Sequence, residues 1–223
     1  MPSFGKIQQI YGTFLDRALR WMRGNGYSVN AAVSISATKM GPDEVVVTTK
    51  DPLHFQDWPY RKKSSEKIEI LASIRETVSL QQGTCNSATV CVHYFEIDGN
   101  RAIATESLRY DCLLPPQTKK QHPVCHVHCS NEKPNRLPPS FRWEVDDHPI
   151  EKRCQTVRIP SAFVNLPGLL AILAADHMTE AHWEDFVKVC LRNIDEFPPI
   201  AHHDIVDSAI REGRLSAWKW YER

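Results

Sequence analysis

Asp98-Gly99-Asn100 constrains this chain more than any other stretch, because it separates two runs that can only be strands. Ala88 to Ile97 is rich in Val, Tyr and Phe, and Arg101 to Leu114 returns in the same style. A Gly-containing turn between two such runs is the signature of a β-hairpin. Pro115-Pro116 closes the second run, since proline cannot continue a ladder. His122 to Ser130 then reads as a third strand, and Gln155 to Ile159 as a fourth stopped by Pro160.

Helical patterns flank this β-region. Phe4, Ile7, Tyr11, Phe14, Leu15, Ala18, Trp21 and Met22 recur at helical spacing, and Gly24-Asn25-Gly26 ends the pattern. Ala31 to Ala37 and Glu44 to Thr49 form a second hairpin, split by Gly41-Pro42. Residues 51 to 63, with Pro52, Phe55 and Trp58-Pro59-Tyr60, read as an ordered loop. Ser64 or Ser65 then caps a second helix carrying Ile68, Leu71, Ala72, Arg75 and Val78 on one side. Near the other end, Asn165 caps a helix over Leu166 to His177. Thr179 caps another, with Trp183, Phe186, Val187, Cys190 and Ile194 on its apolar face. A last helix starts near Asp204, and Trp218 and Trp220 follow.

Strands in the middle and helices at both ends predict an α+β fold. The expected architecture is a central antiparallel sheet with helices on one face, a long N-terminal helix and a helical C-terminal third. The 223 residues suit a single domain, 1–223, divided into N-terminal elements (1–80), the sheet (88–160) and the helical part (161–223). The proline-rich, acidic stretch from Asn131 to Ile150 reads as a long loop or lid.

Charge and motifs exclude several classes. Lys plus Arg and Asp plus Glu balance at 27 each, whereas a chain that coats nucleic acid shows a basic excess. No G-x-x-x-x-G-K-[ST], G-x-G-x-x-G or G-x-S-x-G occurs. Seven cysteines form no Cys-x-x-Cys pair. Cys125 and Cys129 would sit roughly 13 Å apart on a strand, too far for a mutual disulfide. Free thiols and the lack of a signal-peptide core at the N-terminus predict a cytoplasmic protein with no membrane contact.

One segment concentrates chemistry: His122-Pro-Val-Cys-His126-Val-His128-Cys-Ser130. Strand alternation puts Cys125, Val127 and Cys129 against the helices and His126 and His128 on the more exposed opposite face. Two imidazoles at i and i+2 lie about 7 Å apart and can aim at one ligand. They suit a divalent metal, with a third ligand from His93, His122, His148 or a carboxylate. They equally suit a general acid and base beside a phosphate, or hydrogen bonding to a nucleotide or peptide. The plain alternative is two half-buried histidines satisfied by loop residues. Neighbouring strands offer His93, Glu106, Arg109, Tyr110, Asp111 and Arg158, of which parity puts Arg109 and Asp111 together, as a site pair or a simple ion pair. Asp176-His177 with His182 and Glu184 is a second, poorer metal pattern. No cofactor is specified by any motif.

Leu108-Arg-Tyr-Asp-Cys112, His122-Pro-Val-Cys-His-Val-His128 and Val157-Arg-Ile-Pro160 leading into a helix together resemble small, mostly uncharacterised bacterial proteins of toxin–antitoxin or defence loci. The resemblance covers about residues 106–178. It implies a prokaryotic effector or an effector's subunit and carries no catalytic mechanism. Combined with the histidine strand, it leads to two expectations. One is a hydrolase of a phosphodiester or nucleotide built on His126, His128, Arg109 and Asp111. The other is a non-catalytic subunit that binds a protein encoded by a neighbouring gene.

Overall fold

The computed structural model describes residues 2–30, 33–60, 65–113, 125–129, 134–146, 159–161, 164–192 and 194–199. Helix α1 (Phe4–Gly24) begins where the Ser3 side chain accepts the Lys6 N–H and ends at Asn25, with Gly26 at a φ of 84°. Its apolar stripe, including Ile7, Tyr11, Phe14, Leu15, Ala18 and Met22, is buried. Strands β1 (Ile35–Lys39) and β2 (Glu44–Thr49) pair antiparallel as expected.

Two segments differ from the sequence reading. Within the expected loop of 51 to 63 lies strand β3 (Leu53–Pro59). The expected second helix is instead strand β4 (Lys67–Ser79). Its apolar residues satisfy both periods, for Ile68, Ile70, Ala72, Ile74 and Val78 also alternate. β-Branched side chains favour the strand, and pairing decides it. β4 is flanked by β2 and β3 along one side and by β5 (Thr84–Asp98) along the other.

β5 and β6 (Arg101–Leu113) form the hairpin predicted at Asp98-Gly99-Asn100, closed by the pair Asp98 and Arg101 with Gly99 at a φ of 61°. Strand β7 (Cys125–Cys129) pairs antiparallel with β6, and β9 (Ile159–Pro160) pairs with β7. Pro160 thus belongs to the strand it was expected to stop, at the outer end of the strand order, where a missing N–H is tolerated. Strand β8 (Glu144–Val145) runs parallel to β6, so the curled sheet is mixed rather than wholly antiparallel. The positions 155–158 of the expected fourth strand lie outside the described residues.

Helices α2 (Leu166–His177) and α3 (Glu180–Leu191) start at their predicted caps, Asn165 and Thr179. Phe186 and Cys190 are buried on α3, but Ile194 falls in a short 3-10 turn and is exposed. The helix expected from Asp204, and Trp218 and Trp220, lie outside the described residues. Among the described residues no helix is long and apolar enough to cross a membrane.

One apolar cluster joins α1, α2 and α3 to Val45, Val47, Ile70, Ala72, Ile74, Val90 and Val92 of the sheet. Within it sits one carboxylate, Glu76. Tyr11 donates its hydroxyl to Glu76 Oε2 at 2.6 Å, and Leu166 donates its N–H to Oε1 at 2.7 Å. Glu76 therefore ties the first helix and the start of the second to β4. Burial pushes its carboxyl up to about 7 against the hydrogen bonds from Tyr11, Leu166 and Cys85, which lower it. A smaller cluster on the opposite face, Leu71, Phe95, Ala102 and Phe141, lies under residues 134–146.

Candidate functional site

The face that carries Leu71 and Phe95 also carries the histidine strand. Register pairing aligns Arg75 with Thr89, Thr89 with Asp111, and Asp111 with His126. The next rung aligns Ser73, Cys91, Arg109 and His128 in the same way. Directly paired residues share a face, and residues two apart along each strand share it too. The pair Arg109 and Asp111 and the pair His126 and His128, each expected from parity along its own strand, therefore converge.

Asp111 is the centre. Its Oδ2 lies 3.2 Å from His128 Nε2 and 4.0 Å from His126 Nε2. Its Oδ1 accepts from Arg109 Nε at 3.1 Å and from Thr89 Oγ1 at 3.0 Å. The two imidazoles stack with centroids 5.7 Å apart and 23° between their planes. Partial burial alone would raise the Asp111 carboxyl. The Arg109 charge, with hydrogen bonds from Arg109, His128 and Thr89, outweighs burial and holds it below its ordinary value. Asp111 is thus kept as an anion.

One donor atom from each of Asp111, His126 and His128 lies within 4.8 Å of the others. Donors bound to one zinc ion at about 2.1 Å in tetrahedral geometry stand about 3.4 Å apart. The observed Asp111–histidine distances of 3.2 and 4.0 Å fall on either side of that value, and Arg109 Nε stands 3.0 Å from the same Asp111 oxygen. Two imidazoles and one carboxylate form a familiar donor set for catalytic divalent metals.

The exposures depart from expectation. His128 is part-buried, but the His126 side chain is only 2% exposed, although the histidines were expected to be the open side of the strand. β7 is not a free edge at this point, because His126 pairs with Asp111 on one side and with Pro160 on the other. Cys125 is buried as predicted, whereas Cys129 is half-buried. Cys85, Cys125 and Cys190 are free thiols.

Other candidates go elsewhere. His93 shares a 2.7 Å hydrogen bond with Ser107. His122, His148 and Arg158 lie outside the described residues. Glu106 and Tyr110 take the opposite parity on β6. The second metal pattern does not assemble: His177 Nδ1 meets the Pro59 carbonyl at 2.9 Å, and His182 meets the Tyr27 hydroxyl at 2.9 Å. Thr89 is the site residue that sequence reasoning missed; its signal, a threonine on the strand facing Asp111, becomes visible only once the hairpin register is known.

A cavity of about 210 Å³ opens on the same face, lined in part by Thr48, Leu71, Ser73, Cys91, His93 and Arg136. Cys91 is the direct partner of Arg109, so the cavity begins one strand from the Asp111 centre, about 4.8 Å in sheet spacing. Compared with protein-family models, curated proteins and solved structures, the chain matches none.

Proposed function

We propose that the chain is a metal-dependent hydrolase of a phosphodiester or nucleotide, acting as a prokaryotic toxin- or defence-type effector in the cytoplasm. The observation that carries the chemistry is the convergence of Asp111, His126 and His128 on one point. The effector role is supported by the resemblance over residues 106–178. A divalent ion held by one carboxylate and two neutral imidazoles keeps positive charge and open positions. Such an ion lowers the pKa of bound water to about 7 and polarises a phosphoryl oxygen. Arg109, part-exposed beside Asp111, supplies further positive charge for a phosphate. The neighbouring cavity offers room for the rest of the substrate.

Elemental analysis of the purified chain, with hydrolysis of bis(p-nitrophenyl) phosphate in the presence of manganese or zinc, tests this reading. The double variant His126→Ala with His128→Ala should lose bound metal and at least about 100-fold in rate. A folded double variant with unchanged hydrolysis would overturn it. Hydrolysis absent from the wild-type chain, together with co-purification of a neighbouring gene's product, would favour the non-catalytic partner-binding subunit instead.

A further inference from the structure

A second constellation lies on the same face, apart from the Asp111 centre. His54 on β3 and Glu69 on β4 are both essentially inaccessible, and His54 Nε2 stands 2.6 Å from Glu69 Oε2. The other ring nitrogen, Nδ1, stands 2.8 Å from Ser140 Oγ. An ionised carboxylate can only accept, so the proton between His54 and Glu69 belongs to Nε2. With the imidazole neutral, that leaves Nδ1 with its lone pair toward the Ser140 hydroxyl, which can donate to it. We propose that Ser140, His54 and Glu69 form a second catalytic site, a serine nucleophile with its general base and an orienting carboxylate, acting on carboxylic esters or thioesters.

Three features favour this over a simple tether for residues 134–146. First, a serine–histidine hydrogen bond alone would tether the segment, and burying a charged carboxylate beneath it is costly. Second, Glu69 Oε1 accepts the backbone N–H of Asp57 at 3.1 Å, and Asp57 is the one non-glycine described residue with a positive φ, at 54°. Strained backbone of this kind concentrates at functional sites, and here it fixes the carboxylate that fixes the imidazole. The strain sits in a bulge, where the β3–β4 register shifts between Phe55 and Trp58. Third, the Phe141 and Trp143 rings lie 5.4 and 6.2 Å from the His54 ring and shield it, while Ser140 itself remains half-exposed. The nucleophile is open and its base is dry.

The reaction balances without a metal or an oxidant. Ser140 Oγ bonds to the acyl carbon as the bond to the leaving alkoxide or thiolate breaks. The serine proton passes through His54 Nδ1 to the leaving group. Water, deprotonated by the same nitrogen, then releases the acid and restores the serine. Glu69 touches neither reacting atom and is a positioning residue.

A fluorophosphonate probe on the full-length chain, read by peptide mass spectrometry, tests the proposal. The expected result is one phosphonyl adduct, on Ser140, formed with loss of fluoride and at least about 100-fold faster in the native than in the denatured chain. Ser140→Ala should abolish it, and His54→Gln should slow it about 100-fold or more. Glu69→Gln should slow it and also move its pH profile to lower pH, which a purely structural role would not do. Chelation of metal should leave labelling unchanged, which separates this site from the Asp111 centre. Failure of native Ser140 to label, or equal rates in the native and denatured chains, would overturn the proposal, even if the His54 variant did not fold. Unaltered labelling in folded Glu69→Gln would overturn the role of the carboxylate.

Discussion

Glu76 on β4 and Asp111 on β6 are carboxylates of one sheet, separated by β5, yet the two faces treat them in opposite ways. Glu76 faces the helices, fully buried among hydrogen-bond donors, and burial pushes its carboxyl up to about 7. Asp111 faces the other way, half-buried beside Arg109, and is held below its ordinary value. Hydrogen bonds from Tyr11 and Leu166 do not offset the desolvation of Glu76. A guanidinium together with three hydrogen bonds does offset the lesser desolvation of Asp111. The helix-covered face can therefore hold a carboxyl group as a structural pin that keeps its proton up to about pH 7, and the open face can hold one as an anionic ligand.

The largest expected effect tests the Glu76 side. The group titrates from 4.5 when unfolded to about 7 when folded, so the native state binds more protons between those values. Stability from this group is complete below about pH 4.5 and is lost as pH rises through about 7, a change of about 3 kcal/mol. Denaturant titrations across that interval should show the decline, and Glu76→Gln should remove it. At about pH 8 the variant should then be the more stable protein. A wild-type chain with flat stability over the interval would break the comparison.

On the other face the effect should appear in ligand affinity. Asp111→Ala should weaken zinc or manganese binding by about 100-fold or more, about 2.7 kcal/mol by calorimetric titration. Equal affinity in the variant would leave Asp111 as a partner of Arg109 and nothing more. Thr89→Val removes only a hydrogen bond to Asp111 and should cost about tenfold in the same affinity, about 1.4 kcal/mol. The smallest effect belongs to a carboxylate in a third setting. Asp16 pairs with Arg20 one helical turn away, with both side chains mostly exposed. Arg20→Ala should change unfolding stability by no more than about 0.5 kcal/mol, because water and side-chain entropy cancel most of the pair's attraction.

The candidate site was more legible in sequence than its burial. Parity along β6 and β7 placed Arg109 with Asp111 and His126 with His128, because side-chain alternation is a local property of any strand. That the two pairs face each other required the register between the strands, which no residue announces. His126 was expected to be exposed because the role of β9 as its second neighbour depends on chain that returns 34 residues later, at Pro160. The grouping of Ser140, His54 and Glu69 is illegible in the sequence for the same reason. They are separated by up to 86 residues and lie in segments read as loop and helix.

Local physics by itself determined α1 with its Ser3 cap, the hairpin at Gly99, and the starts of α2 and α3 at Asn165 and Thr179. In each, the groups that satisfy the backbone lie within a few residues of it, so the sequence contains both halves of the interaction. Tertiary structure decided the rest. Lys67–Ser79 became a strand because β2, β3 and β5 supply hydrogen-bond partners on both sides, although its apolar spacing also fits a helix. The Glu76 carboxyl is pushed up to about 7 because the fold buries it completely, beside Tyr11 and Leu166, which lie 65 and 90 residues away. A pairing or a desolvation between residues so distant in sequence exists only once the chain has folded, and the conformation and charge of those residues follow from it.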